Sequence, residues 1–129
     1  MVSERSGADQ QDAPEPNLAG VANLRGRIYV FDLDHTLCHI EGLDYAAAVP
    51  YRIRIAYVNA LYDRGATILI DSARGSGTGD DWQARTEQQL RAWGLRYHQV
   101  RTGVKFFGHV YVDDRAQSDR EFFAHVETH

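Results

Sequence analysis

Cysteine, proline, lysine and long apolar runs are all scarce in this chain, and each shortage narrows what it can be. One cysteine in 129 residues, Cys38, leaves no internal disulfide, so a reducing compartment is the simpler expectation. Three prolines beside eleven glycines are far from collagen-like or low-complexity sequence. No apolar stretch approaches the ~20 residues of a membrane-spanning helix, and the N-terminus lacks the apolar core of a signal peptide. A formal charge of −4 gives no global reason to bind nucleic acid or an anionic membrane, although a local basic patch stays open. The expectation is a cytoplasmic protein without a membrane partner. With 43% hydrophobic and 25% charged residues, the composition is globular, and the length suits one domain.

Residues 1–24 are rich in Ser, Asp, Gln, Glu, Pro, Ala and Gly without periodicity, which predicts a disordered arm ahead of a folded domain over 25–129. Ile28-Tyr29-Val30-Phe31 is an unbroken β-prone run, suited to a strand buried on both faces, and it ends in Asp32-Leu33-Asp34. Pro50 is placed to open a helix in which Ile53, Tyr57, Ala60 and Leu61 recur at helical spacing, with Gly65 as its stop. Thr67 to Ile70 reads as a second buried strand, ending in Asp71-Ser72. Arg74 to Gly79 is a loop, and Asp80 or Asp81 can cap a helix whose Trp82, Thr86, Leu90 and Trp93 share a face. A short strand near Tyr97 to Val100, another from His109 to Val112 ending in Asp113-Asp114, and a helix around Ser118 to Val126 complete the series. Strands alternating with helices predict an α/β fold: a three-layer, Rossmann-like core with a central parallel sheet. In such folds ligands bind beyond the carboxyl ends of the strands.

Those strand ends carry Asp32 and Asp34, then Ser72, then Asp113 and Asp114, which together outline an acidic pocket. Gathered carboxylates repel one another unless a cation is held among them, and Mg²⁺, which takes one or two carboxylates plus a phosphate, fits best. Lys105 is the chain's only lysine against thirteen arginines, and its compact charge lies just ahead of the last acidic pair. The loop from Gly75 to Gly79 lacks the Gly-Lys-Ser/Thr ending of a P-loop. Cys38 and His39 have no companions at metal-ligand spacing and read as core or rim, and Trp82 and Trp93 read as core.

In this order the motifs resemble the haloacid dehalogenase (HAD) superfamily of phosphatases. Phe31-Asp32-Leu33-Asp34-His35-Thr36 is similar to its first motif, Ser72 to its second, Lys105 to its third and Tyr111-Val112-Asp113-Asp114 to its fourth. The resemblance implies that Asp32 attacks phosphorus to form an aspartyl-phosphate, with Asp34 as general acid and then base. It implies Ser72 and Lys105 as catalytic stabilisers of the phosphoryl group. For Mg²⁺ it implies Asp32, the Asp34 carbonyl and one of Asp113 and Asp114, with Asp114 favoured and Asp113 as the partner of Lys105. Arg74 is a candidate for substrate phosphate or for a salt bridge. His35 stands where the family usually has glycine, which points to a stiffer loop or an imidazole facing substrate.

Neither the segment from Leu37 to Val49 nor that from Arg101 to Phe107 is long enough for a cap domain, so an open site, covered by a loop, a homo-oligomer or the substrate, is expected. The run from Asp71 to Thr78, with Asp81-Trp82, Leu90, Trp93-Gly94 and Tyr97-His98, is similar to small capless HAD phosphatases of capsular polysaccharide and sugar-phosphate metabolism. A phosphorylated sugar or sugar-like metabolite is the implied substrate. The Ser72 to Thr78 region and Asp113-Asp114-Arg115 are also similar to the phosphatase domain of bacteriophage polynucleotide kinase. That makes a polynucleotide 3′-phosphatase the alternative, and a phosphate-accepting switch or binding-only relative the non-enzyme one.

Overall fold

The structure, a computed structural model, describes residues 23–127, so the arm expected over residues 1–24 falls, up to residue 22, outside the described residues. Leu24 already belongs to the folded part: it packs on the core and its N–H donates to the Arg64 carbonyl at 2.9 Å. The elements are β1 (Ile28–Phe31), β2 (Cys38–His39), a 3₁₀ turn (Tyr45–Ala47), β3 (Val49–Pro50), α1 (Arg52–Asp63), β4 (Thr67–Asp71), α2 (Gln83–Ala92), β5 (Gln99–Arg101) and α3 (Asp119–Glu127). The sheet is parallel in the order β1–β4–β5, with Ile28 opposite Thr67 and Leu69 opposite Gln99; β2 and β3 form a separate antiparallel hairpin.

Alternation along the strands sorts the sheet into two faces. Phe31, Ile68, Ile70 and Val100 are buried, and with half-buried Tyr29 they meet residues of all three helices, among them Ile55, Val58, Leu90, Trp93 and Phe123. The opposite face is open: Ile28 and Val30 are 64% and 63% exposed, and Gln99 and Arg101 are exposed beside them. The expectation that the first strand is buried on both faces is therefore corrected. Strand order supplies the reason. Strands added in one direction with right-handed crossovers put their connecting helices on one face, and the second face is covered only where the order reverses.

A further strand is expected over His109 to Val112. Among the described residues this segment is neither strand nor helix, and Val110 and Val112 are exposed. β1 thus remains an edge of the described sheet, and among the described residues the mixed α/β architecture carries its helices on one face of that sheet. No cap domain is inserted among the described residues.

Two smaller differences have local causes. Pro50 does not open α1 but closes the hairpin opposite Cys38, and the helix starts two residues later. The third strand lies at Gln99–Arg101, beyond Tyr97, because His98 turns toward β4, with its N–H on the Ile68 carbonyl and its ring nitrogen accepting from Ile68 N–H. Elsewhere local signals hold. Ser118 accepts from the Glu121 N–H at 3.1 Å and caps α3, and Asp81 accepts from the Gln83 N–H at 3.0 Å ahead of α2.

α3 is docked by both greasy and ionic contacts. Phe123 is fully buried, with its ring against Phe31, Phe122 and Tyr57. Arg54 lies over that ring and donates to Asp119 and Glu127 at 2.7 Å each and to the Thr36 carbonyl at 3.0 Å. Burial alone would lower the Arg54 pKa, but the two carboxylates outweigh it and the net shift is upward. Phe123→Ala is expected to cost about 3–5 kcal/mol in urea unfolding, whereas Val112→Ala, at a site 92% exposed, should stay within about 0.5 kcal/mol. A comparable cost at both sites would show that the 109–112 segment is packed.

Candidate active site

β1 delivers its chain to a tight turn in which the backbone folds back on itself. Thr36 and Leu37 N–H groups donate to the Leu33 carbonyl, and His35 N–H donates to the Cys38 carbonyl at 2.6 Å. With Leu33 fully buried as an anchor, Asp32 and Asp34 leave the strand end on a fixed frame. His35 pays a conformational cost for this, being the one described non-glycine residue with positive φ, at 67°. Glycine would take that left-handed conformation freely. The His35 ring is exposed and lies edge-on to His39, 5.7 Å away.

The two carboxylates are held in different ways. Asp32 is exposed; its Oδ1 receives Lys105 Nζ at 3.0 Å and its Oδ2 receives the Thr36 hydroxyl at 3.4 Å. Asp34 is largely enclosed, with a side chain 15% exposed. Arg74 grips it bidentately, Nε to Oδ2 at 3.0 Å and a terminal nitrogen to Oδ1 at 2.8 Å. Such fork-to-carboxylate pairing fixes orientation as well as distance.

Ser72 and Arg74 come from the loop after β4. Ser72 is buried, its N–H donates to the Arg101 carbonyl, and its Oγ accepts the Arg74 N–H at 3.1 Å. The loop then turns at Gly75, with φ at 80°, where any Cβ would collide with the Asp80 carbonyl oxygen. Ser76 donates to the Lys105 carbonyl at 2.6 Å, so the same loop that carries Arg74 also seats the lysine.

Asp32, Asp34, Ser72, Arg74 and Lys105 are thereby brought to one end of the sheet. Among the described residues, the hydrogen bonds and ion pairs of Asp113 and Asp114 lie with Arg115 and not with this group. Both are exposed; Asp113 accepts from the Arg115 N–H at 2.7 Å, and that bond first, with Asp114 next, lowers its carboxyl below the usual range. The expected Lys105–Asp113 pairing is corrected: Lys105 pairs with Asp32 and its ammonium lies 4.7 Å from the Tyr111 ring centre. Among the described residues no group of three or more His, Cys, Asp or Glu side chains is arranged to hold a metal ion. Asp71, the last residue of β4, pairs across the sheet with Arg101 of β5 at 3.1 Å. Trp93 is core; Trp82 is half-buried, between Tyr45 and the Arg85 guanidinium.

Several participants were not foreseen. Tyr45, Thr86 and Gln89 surround Arg74, and Thr36 holds Asp32. Thr86 was legible only as a polar residue on the apolar face of α2, a position that calls for a buried partner. Cys38, fully buried, directs its thiol at Asp34 Oδ1, 3.4 Å away. Burial first, and the Asp34 charge second, push its pKa from the ordinary 9.0 up to about 12.

No protein-family model matches the chain, and no curated protein does. A crystal structure of an MCSG target from Vibrio cholerae is similar, with a TM-score of 0.68 and 24% identity over 80% of this chain and 89% of that one. At that identity the likeness speaks to the fold alone.

The Cys38 thiol is neutral and enclosed, so it is no nucleophile at neutral pH. Alkylation by iodoacetamide at pH 8 is expected to be about a hundredfold or more slower in the native protein than in the urea-unfolded chain. Equal rates would show that the Cys38 pocket is open.

Proposed function

We propose that this protein is a phosphomonoester hydrolase that works through an aspartyl-phosphate at Asp32, acting on a phosphorylated sugar or sugar-like metabolite. The observation that carries the reading is the unequal treatment of two carboxylates two residues apart at one strand end. Asp32 is accessible beside a lysine, and Asp34 is enclosed and fixed by an arginine. Two carboxyl groups in different environments suit one nucleophile and one proton carrier.

In the first step an Asp32 oxygen forms a bond to phosphorus as the bond to the leaving oxygen breaks, and Asp34, which must first take up a proton against the pull of its Arg74 pair, gives that proton to the leaving oxygen. In the second, water attacks the same phosphorus, Asp34 takes the proton back, and the acyl-phosphate bond breaks to free Asp32 and inorganic phosphate. Lys105, already 3.0 Å from Asp32, offsets charge on the phosphoryl oxygens. Ser72, the donor to that group that the resemblance implies, is buried at 1% exposure, so its hydroxyl reaches a phosphoryl oxygen only when the loop after β4 shifts. The sugar-like substrate class rests on the resemblance of the Asp71 to Thr78 region, and the absence of a cap among the described residues agrees with an open site.

Mg²⁺ is the expected cofactor. Its donor set does not fit as it stands, because Asp113 and Asp114 sit on an exposed segment and do not converge on Asp32. Pairing of the 109–112 segment with the free edge of β1 would be one way to deliver the acidic pair.

Phosphate release should be measured with and without Mg²⁺ across sugar phosphates, nucleotides and a 3′-phosphorylated oligonucleotide. Selective release from a sugar phosphate is the expected result, and Asp32→Asn should reduce it by about a thousandfold or more with little change in Tm. Preference for the oligonucleotide would favour the 3′-phosphatase. An Asp32→Asn protein that keeps most of its activity would overturn the nucleophile assignment.

A further inference from the structure

We propose that Arg74 never touches substrate and is instead the positioning residue that aims the Asp34 carboxyl at the leaving oxygen, an inference that rests on the phosphatase reading above. A guanidinium has five N–H groups. Nε and one terminal nitrogen hold the two oxygens of Asp34, and the latter nitrogen also faces the Cys38 sulfur at 4.0 Å. The other terminal nitrogen donates to Thr86 Oγ1 at 3.1 Å and to Gln89 Oε1 at 2.7 Å. All five are committed, and the residue is 1% exposed. Tyr45 covers the planar group, with its ring centre 5.0 Å from the guanidinium carbon, and Gln89 ties down that turn by donating to the Tyr45 carbonyl. A substrate phosphate would find neither a free donor nor a path to one.

What remains for Arg74 is mechanical. It connects Asp34, on a turn after β1, to α2 through two side-chain acceptors, so the helix sets the direction of the carboxyl group. Lysine has no planar fork and cannot serve Asp34 bidentately while also reaching Thr86 and Gln89. A misaimed acid harms most the substrates whose leaving group needs a proton. General acid catalysis contributes about 10²–10⁴-fold, and it matters least when the leaving group is already a stable anion.

The test compares kcat/KM for phenyl phosphate, a poor leaving group, with that for p-nitrophenyl phosphate, a good one, in wild type, Arg74→Lys and Gln89→Met. Arg74→Lys is expected to lose at least about tenfold more on phenyl phosphate than on p-nitrophenyl phosphate. KM should stay within about threefold, as for a group that makes no ground-state contact with substrate. Gln89→Met leaves the Arg74–Asp34 pair in place and removes one anchor on α2; it should show the same leaving-group bias, reduced to about threefold, and it carries the test if Arg74→Lys fails to fold. Arg74→Lys combined with Asp34→Asn should be no slower than Asp34→Asn alone, since both act through one carboxyl group. Equal losses on both esters, or a large rise in KM at constant kcat, would overturn the positioning role while leaving the phosphatase reading intact. A wild-type protein inactive on both esters and on the sugar phosphates would overturn that reading and this role with it.

Discussion

The buried ion pair between Arg74 and Asp34 is the joint through which the rest of the site is assembled. One guanidinium links the turn after β1, the loop after β4, the second helix and the 3₁₀ turn at Tyr45. Enclosing an arginine this completely is tolerable only because every donor is matched, and removing any single acceptor would leave an uncompensated group in a dry place. The consequence for chemistry is directional: the carboxylate that meets Arg74 is held, and its neighbour two residues earlier stays accessible beside a flexible lysine.

A second buried arginine does equivalent work for the fold. Arg54 gathers Asp119, Glu127 and the Thr36 carbonyl while lying over Phe123, so the last helix is docked on the same turn that carries the candidate nucleophile. The two arginines thus approach the Asp32 to Thr36 turn from opposite ends, one through Asp34 and the other through Thr36. Lys105 is the exception that the composition flagged. An ammonium on a flexible stem, partly exposed, meets the accessible carboxylate, whereas planar guanidinium groups take the enclosed positions.

Much of this was legible in the residues. The run Ile28 to Phe31 and the run from Thr67 are strands, the helical spacings at Ile53 to Leu61 and Thr86 to Trp93 mark helices on the core, and Gly65 and Gly94 follow the helix ends. Asp32, Asp34, Ser72 and Lys105 do come to one end of the sheet. What periodicity could not supply was layer number. A run of four apolar residues says that a strand is β-prone, but whether Ile28 and Val30 are covered depends on where a later segment inserts, and that is a property of strand order. Polar partners were likewise illegible: nothing in the spacing of Gln89 or Tyr45 announces that both serve Arg74, because those contacts are created only when α2 settles on the sheet.

The segment from Val104 to Asp114 is where sequence and structure diverge, and the divergence has a common physical root. Its Val110 and Val112 are exposed, the face of β1 carrying Ile28 and Val30 is exposed, and β1 is an edge strand among the described residues. An edge strand with open backbone groups beside an apolar face is a surface that proteins ordinarily cover. The expected strand and the expected approach of Asp113 and Asp114 to Asp32 both fall on this segment. The half of the site that is assembled depends instead on β1, β4 and Arg74. Lys105 is all that it takes from the segment, and the unequal settings of Asp32 and Asp34 stand on contacts independent of where the second acidic pair lies.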